Sequence, residues 1–453
     1  MSKVTLVNHS SLLISLNNNQ THILTDLWNE SPAFGSWLPS ALPFFNPTYL
    51  ASLSYEKNFF LAISHAHDDH IDDYFLKKYF NKEVKIIISE YPSPSLRNRI
   101  KKMGFDNVIS INQEIKKINN FEVVSVFDPQ ISGDDSGLAF RDNKYCIHHG
   151  NDNWFLMKDN NINLLKKFKG DRVMLYASQT NTASGHPITY PQYDNKTKDE
   201  IKKKVKDMVI AGLKNSQKLS ADYFLPYAGY SKSYVKNQNY HNMVVSPIYE
   251  NLLDLIKNEK DLNLERMLNI FCGGTIDLDD GKVTYPFPIT PQNVFNTTDK
   301  YLKEEKIIYK CDTFREDFQN DNVELDKVEY YLQKFNEFVN NFLKRNSSFY
   351  PSIIGKKLKF TICEKDNISK KLFSKCMEIG SGIFIENIDE PNKEFLIPSN
   401  LFKALIDQKI VFENLYTGYQ AKVYRYPPNI YNRDIIMYLD MFGYVYAKKK
   451  IDI

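Results

Sequence analysis

The sequence predicts an α/β fold arranged as an αββα sandwich, two mixed sheets with helices on their outer faces. Three observations predict it. Short apolar segments closed by turns fill the N-terminal third, the periodicity turns helical between Lys196 and Leu219, and a knot of histidines and aspartates follows directly on an apolar strand.

The elements follow in order. Residues 4–7 and 11–15 read as paired strands around Asn8-His9-Ser10, and 21–25 as a third strand ending at Asp26. Residues 59–64 form an apolar run that stops at His65. Residues 84–89, 107–111 and 121–127 are further strands, with a basic, helix-like stretch at 95–103. Residues 138–141 and 144–148 suit a hairpin across Asp142-Asn143, followed by strands at 172–177 and 223–226. Ile201, Val205, Val209 and Leu213 mark the buried stripe of the Lys-rich helix, whose lysines are its solvated face. The expected division is a metal-binding catalytic domain over 1–245, a mainly helical connection over 246–345 and a C-terminal α+β domain over 346–453. The last carries strands at 357–363 and 382–385 and helices at 399–407 and 432–441.

Composition narrows the function classes. The 453 residues are 42% hydrophobic and 14% aromatic, which suits folded domains and excludes wholesale disorder. A net charge of +3 from 58 basic and 55 acidic residues leaves no footprint for a nucleic-acid or membrane-surface binder. The five cysteines (Cys146, Cys272, Cys311, Cys363 and Cys376) are scattered with no CxxC pair, which fits a reducing cytosol. No apolar run is long enough for a membrane span and no signal-peptide pattern opens the chain, so the expected location is cytoplasmic.

The chemistry is concentrated in His65-Ala66-His67-Asp68-Asp69-His70, which holds three of the nine histidines. A strand end with a tight turn can aim these side chains into one cavity. Imidazole pairs suit Zn or Fe, and an adjacent carboxylate with a further imidazole begins a second site. His65 and His67 are assigned to the first ion, Asp69 and His70 to the second. Further ligands must come from later strand ends, and Asp128, Asp152 and His186 stand where strand patterns break. Asp69 and His186 are also taken as the catalytic groups. Each of the later three has an ordinary alternative as a turn residue or helix cap.

Other features weigh less. His148 and His149 read as strand residues, and Asp26 either orients a metal-bound histidine or simply closes a turn. Gly273-Gly274 is no phosphate loop, because no Lys-Ser/Thr follows at the needed spacing. Arg425 and Arg433 are candidate anion contacts, against the usual role of arginine as a surface charge.

Several stretches together resemble the CMP-N-acetylneuraminate hydroxylase family, whose catalytic part has a metallo-β-lactamase fold. Asp26-Leu27-Trp28 with Ser31-Pro32-Ala33-Phe34 and Trp37 looks like the loop ahead of that family's metal motif, and residues 63–70 match the motif itself. Phe127-Asp128-Pro129, Asp135-Ser136-Gly137-Leu138, Asn151-Asp152, Ala183-Ser184-Gly185-His186-Pro187, Pro226-Tyr227-Ala228-Gly229-Tyr230 and Gly273-Gly274-Thr275-Ile276-Asp277-Leu278 follow in the family's order. Gly418-Tyr419-Gln420-Ala421 and the segment from Arg425 to Asn432 resemble its terminal part, so the likeness runs from about residue 5 to residue 445. The chain departs from the family where a Rieske cluster would need a Cys-x-His pair and a Cys-x-x-His pair. Cys146-Ile147-His148-His149 offers a single cysteine and no second pair exists. His186 also replaces an apolar residue.

The resemblance implies an iron-dependent monooxygenase with two transition-metal ions. Its substrate would be a nucleotide-sugar-like or amino-group-bearing small molecule, and its electron donor a separate ferredoxin or Rieske-type protein. The alternative is a zinc- or manganese-dependent hydrolase of a phosphoester, amide or ester, since this fold hosts much hydrolytic chemistry.

Overall fold

The computed structural model describes residues 2–427 and 435, apart from 92, 128–134, 181–194, 236–241, 243–244, 313, 346–353, 382, 386–387 and 389. Asp128, His186, Arg433 and the helix expected at 432–441 therefore lie outside the described residues.

Among these residues the N-terminal strands are β1 (Lys3–Asn8), β2 (Ser11–Leu16), β3 (Thr21–Thr25), β4 (Trp37–Pro39), β5 (Phe59–Ile63), β6 (Lys85–Ser89) and β7 (Val108–Ile111). They are followed by β8 (Lys116–Ile118), β9 (Phe121–Val126), β10 (Gly137–Arg141), β11 (Tyr145–His149), β12 (Val173–Gln179), β13 (Tyr223–Tyr227), β14 (Ser231–Ser233), β15 (Thr275–Asp277) and β16 (Val283–Thr284). One sheet has the order β16-β15-β1-β2-β3-β5-β6-β7, the other β13-β12-β11-β10-β9-β8. Within the first, β3, β5, β6 and β7 run parallel; within the second, β11, β12 and β13 do. Both faces of these parallel strands are covered, which is why β5 reads as unbroken apolar sequence, Phe-Phe-Leu-Ala-Ile, with every residue buried.

The layers follow from which side chains meet. Leu12, Ile14, Phe60, Ala62 and Ile87 of the first sheet pack against Val123, Phe140, Ile147, Leu175 and Leu225 of the second, forming the central core. Helices α1 (Pro47–Leu53), α2 (Asp73–Tyr79) and α3 (Ser95–Lys102) cover the outside of the first sheet through Leu50, Phe75, Leu76, Leu96 and Ile100. Helices α4 (Asp159–Lys169), α5 (Asn195–Lys218) and α6 (Tyr249–Ile256) cover the second through Leu165, Leu213 and Leu252, among others. The buried stripe of α5 includes the expected Ile201, Val205, Val209 and Leu213. This is the αββα layering of the metallo-β-lactamase fold. At about 1.5–3 kcal/mol for each large apolar side chain fully buried, these three interfaces are the main source of stability.

The first sheet reaches past the boundary expected at 245. β15 pairs antiparallel with β1 (Val4 opposite Ile276), and β16 pairs with β15. Gly273, at φ +92°, makes the turn that lets this late segment join the sheet edge. The region 246–345 is otherwise helical, with α7 (Pro291–Glu304), α8 (Ile307–Asp312) and α9 (Val328–Arg345). Val328, Leu332 and Phe335 of α9 belong to the C-terminal core.

That core lies on one face of a sheet ordered β19-β18-β17-β20-β21. Its strands are β17 (Lys357–Glu364), β18 (Asn367–Glu378), β19 (Phe384–Ile385), β20 (Lys393–Pro398) and β21 (Lys422–Arg425). Helices α10 (Ser399–Ile406) and α11 (Phe412–Tyr416) pack on it through Leu401, Leu405, Phe412 and Leu415. The twelve-residue β18 is Lys-rich and largely exposed, so it lacks the period-two apolar signal that marks a strand in sequence.

Candidate metal centre

The carboxyl ends of both parallel strand sets meet at one edge of the sandwich, where open α/β sheets place their ligands. Asp26 follows β3, the His65–His70 cluster follows β5, and Asn151 and Asp152 follow β11. The β1–β2 turn brings His9 to the same edge.

Asp26 is fully buried and organises the floor of this site. Its Oδ1 accepts from the Ser64 backbone N–H at 2.7 Å. Its Oδ2 accepts from Ser64 Oγ (2.7 Å), His149 Nε2 (2.7 Å), Asn151 Nδ2 (3.0 Å) and His70 Nδ1 (3.2 Å). Burial would raise this carboxyl, but His149 and His70 outweigh it and hold the group far below the usual carboxylate range. His149 is locked from both sides. Asn151 N–H donates to Tyr227 Oη at 2.9 Å, and Tyr227 Oη lies 2.7 Å from His149 Nδ1. With Nε2–H committed to a carboxylate, Nδ1 is the acceptor for the tyrosine hydroxyl. His149 is thus a supporting residue, as a strand histidine. His148 faces the other way, stacked on Tyr176 at 5.1 Å, and burial pushes its pKa down to about 3.

Above this floor stand the ligand-grade atoms. His65 Nδ1 rests on Ser64 Oγ (2.9 Å), which leaves Nε2 free to face the cavity, 2.8 Å from His67 Nδ1 and 3.8 Å from both Asp135 Oδ1 and Asp152 Oδ2. His70, with Nδ1 on Asp26, turns Nε2 toward Asp69 Oδ2 (3.6 Å) and Asp152 Oδ2 (3.8 Å). His9 Nε2 is also 3.6 Å from Asp69 Oδ2. Three overlapping groups result: His9, Asp69 and His70; His65, His70 and Asp152; His65, His67 and Asp135. The Asp152 carboxylate stands between His65 and His70, where a bridging ligand would.

The donor set fits transition-metal ions. Two atoms each about 2.0–2.2 Å from a shared ion at a tetrahedral angle lie about 3.3–3.6 Å apart, close to the separations here. His9 Nδ1, His70 Nε2, Asp69 Oδ1 and Asp152 Oδ1 are buried without a hydrogen-bond partner among the described residues. Each such atom costs about 1–3 kcal/mol unless something satisfies it. The charge balance agrees. Burial would lower the His70 and His67 pKa values, but the surrounding carboxylates raise them to about 10 and about 9. Burial, helped by the neighbouring Asp69 and Asp135, raises Asp152 to about 6 against the pull of His70. A divalent ion would supply the positive charge that protons otherwise bring here.

Five of the expected residues therefore converge: His65, His67, Asp69, His70 and Asp152. Asp128 and His186 lie outside the described residues. Asp68, inside the motif, turns away to Arg99 at 3.0 Å and accepts from the Phe34 N–H at 3.1 Å. Arg425 does not serve as a free anion contact, because it is buried and its guanidinium pairs with Glu200 on α5 at 2.9 Å. Three residues of the site are not marked as ligands or ligand partners by the sequence. His9 looks like an ordinary hairpin-turn residue, Asp135 sits in a polar Gly-Asp-Asp-Ser stretch, and Glu413 arrives from α11, far along the chain. Glu413 Oε1 lies 3.6 Å from His67 Nε2.

No family model matches the chain. Over 114 residues it is 32% identical to a Rieske 2Fe-2S iron-sulfur protein of Mycolicibacterium smegmatis, a stretch that makes up 25% of this chain and 21% of that protein. A protein of the same description from Mycobacterium tuberculosis matches at 31% over the same length. The chain thus spans about a fifth of the length of the curated relatives it matches, 21% in both cases. Among solved structures, isothiocyanate hydrolase from Delia radicum gut bacteria is similar at a TM-score of 0.41 and 15% identity, over 61% of this chain and 98% of that one. CmlA, a diiron β-hydroxylase from Streptomyces venezuelae, is similar at a TM-score of 0.35 and 14% identity, over 50% of this chain and 45% of that one. No helix among the described residues is long and apolar enough to cross a membrane.

Proposed function

We propose that the chain is a dinuclear iron enzyme of the metallo-β-lactamase fold, related to the CMP-N-acetylneuraminate hydroxylases and acting as a monooxygenase on a nucleotide-sugar-like or amino-group-bearing small molecule. One observation carries this reading: each of the three convergent groups is two imidazoles and one carboxylate. That set with open positions suits non-haem Fe(II) oxygenases. Bound iron would supply the redox chemistry with dioxygen. The protein's share is to orient the ligands that would hold the iron, through Asp26, Ser64 and Asn151, and to hold the Asp152 carboxylate between His65 and His70.

The electrons must come from elsewhere. Inserting one oxygen atom into a C–H bond consumes dioxygen, two electrons and two protons and releases water. The five cysteines are all buried and none forms a disulfide, and burial pushes the Cys146 thiol up to about 12, far from a thiolate ready to hold a cluster. The local likeness to Rieske proteins supports a separate iron–sulfur donor of that kind. The deciding experiment is isotopic. Fe-loaded protein with dioxygen, substrate and an added ferredoxin and reductase should place one atom of labelled dioxygen in the product. Full turnover without dioxygen, with label arriving from water, overturns the oxygenase in favour of the hydrolase.

That second reading has its own support. Two imidazoles and a carboxylate also make a catalytic zinc site, and hydrolysis is redox-neutral and needs no electron source. Zinc- or manganese-loaded protein would then hydrolyse a phosphoester, amide or ester anaerobically.

A further inference from the structure

His67 is the open member of the cluster. Its side chain is 37% exposed, whereas those of His65 and His70 are 1% and 0% exposed. The buried histidines are each braced at Nδ1 from the sandwich itself, His65 by Ser64 and His70 by Asp26. His67 has no such brace on its own sheet. Its Nδ1 faces His65 inside the cluster, 2.8 Å away, and its Nε2 points outward to Glu413.

Glu413 is held where it is by two sets of contacts. On α11, Phe412, Leu415 and Tyr416 are buried in the C-terminal core, which leaves Glu413 on the side facing the sandwich. The chain after α11 is then fastened to the start of β4 and the residue before it. Trp37 Nε1 donates to Thr417 O at 2.9 Å, Ser36 Oγ donates to Gly418 O, and Gln420 Nε2 donates to Ser36 Oγ at 2.8 Å. The Tyr419 ring packs edge-on to Trp37 at 5.2 Å. At Gly418 the approach is so close that a Cβ would stand 2.1 Å from Phe34 O. Phe34 in turn has its ring 6.1 Å from His67.

We propose that Glu413 is the positioning carboxylate of His67, supplied by the C-terminal unit, so that the docking of that unit sets the affinity of one of the two metal ions. The inference rests on His67 being a metal ligand. A ligating histidine is normally held through its other ring nitrogen by a carboxylate or carbonyl, which fixes the ring and raises its basicity. Glu413 stands to His67 as Asp26 stands to His70. With Nδ1 given to a metal, the remaining N–H of the ring is at Nε2, which already faces Glu413 Oε1 at 3.6 Å.

The test is a zinc titration of the full chain against a chromophoric chelator, comparing wild type with Glu413→Gln and Gly418→Ala. Glutamine keeps the shape and loses the charge, so a merely structural role predicts no change. The expected result is two zinc ions in the wild type and, in Glu413→Gln, one of the two dissociation constants raised 10–100-fold with the other unchanged. Gly418→Ala should shift the same constant in the same direction. Circular dichroism of metal-free Glu413→Gln should match wild type, and its melting temperature should fall only slightly, because the lost carboxylate also favours the protonated His67 ring. Two wild-type affinities in Glu413→Gln would overturn this inference and leave the metal centre standing. A wild-type chain that binds no zinc and no iron would overturn both.

Discussion

The two halves of the metal centre are built differently. The half around His70, Asp69 and His9 is sealed inside the sandwich and braced by Asp26, which takes five hydrogen bonds from residues at the ends of two strands, β5 and β11. The half around His67 is open, and the carboxylate beyond it comes from another part of the chain. The first half is braced by these contacts before any ion arrives. The second is completed by docking, so its geometry depends on a contact that a single substitution can loosen.

The comparison can be broken most severely at Asp26. Asp26→Ala leaves Ser64, His70, His149 and Asn151 with unmet partners in a buried network, and removing one member of such a network costs about 3–5 kcal/mol. Chemical denaturation should show that loss and metal analysis should show neither ion retained. Two tightly held ions in this variant would contradict the idea of a shared brace.

A narrower change separates the halves. Asp69→Asn should reduce occupancy from two ions to about one and cut activity at least a hundredfold, because Asp69 stands between His9 and His70 and not beside His67. His67→Ala should also leave one ion, the buried one. Metal analysis of the two variants, followed by the double variant, shows whether the losses add.

Acidity offers a third handle. In the metal-free protein His70 and His67 have pKa values raised to about 10 and about 9, above the unfolded value of 6.5. Their contribution to stability is therefore complete below about pH 6.5 and is lost as pH rises through 9 to 10. Bound metal replaces those protons. The melting temperature of metal-free protein should fall between pH 6.5 and 9.5 while that of the loaded protein changes little, so the gap between them widens with pH. A gap that narrows would mean that the protons and the ions do not compete for the same nitrogens.

Smaller effects sharpen the picture. Gly418→Ala forces a methyl group against the Phe34 carbonyl and should cost about 1–3 kcal/mol, as overpacking usually does. Its metal loss should be confined to the open half. Asp68→Asn should cost less than about 1 kcal/mol and leave both ions in place, since its partner Arg99 is partly exposed and its carboxylate points away from the cluster. Adjacent residues of one motif thus carry opposite expectations.

How much of this was legible in the sequence tracks the same division. The apolar runs of β5 and β6 and the four-residue spacing along α5 declare themselves because the sandwich buries them completely, and the motif after β5 declares itself by its density of histidine. The candidate residues that follow strand ends are within reach of such reasoning, Asp152 after β11 among them. His9 is not, because a hairpin turn is a commonplace setting for a polar residue and only the tertiary fold brings that turn beside His70. Glu413 lies in a five-residue helix with no chemical motif around it. The late strand pair β15–β16 and the exposed β18 escaped for a related reason. One is defined by its partner in a distant sheet edge, and the other is too polar to show a periodic face.

The doubly bonded ring of His149 has a consequence of its own. It sits one side chain away from the candidate ligand His70, through Asp26, in a cavity already rich in imidazole, and an unrestrained histidine there would offer a metal a further donor. With Nε2 on Asp26 and Nδ1 on Tyr227, neither nitrogen has a lone pair to offer. The Tyr227 hydroxyl thereby acts as a stopper. In the proposed dinuclear centre it keeps the floor of the cavity closed to metals, so how deep an ion could travel is set partly by a tyrosine outside the donor groups.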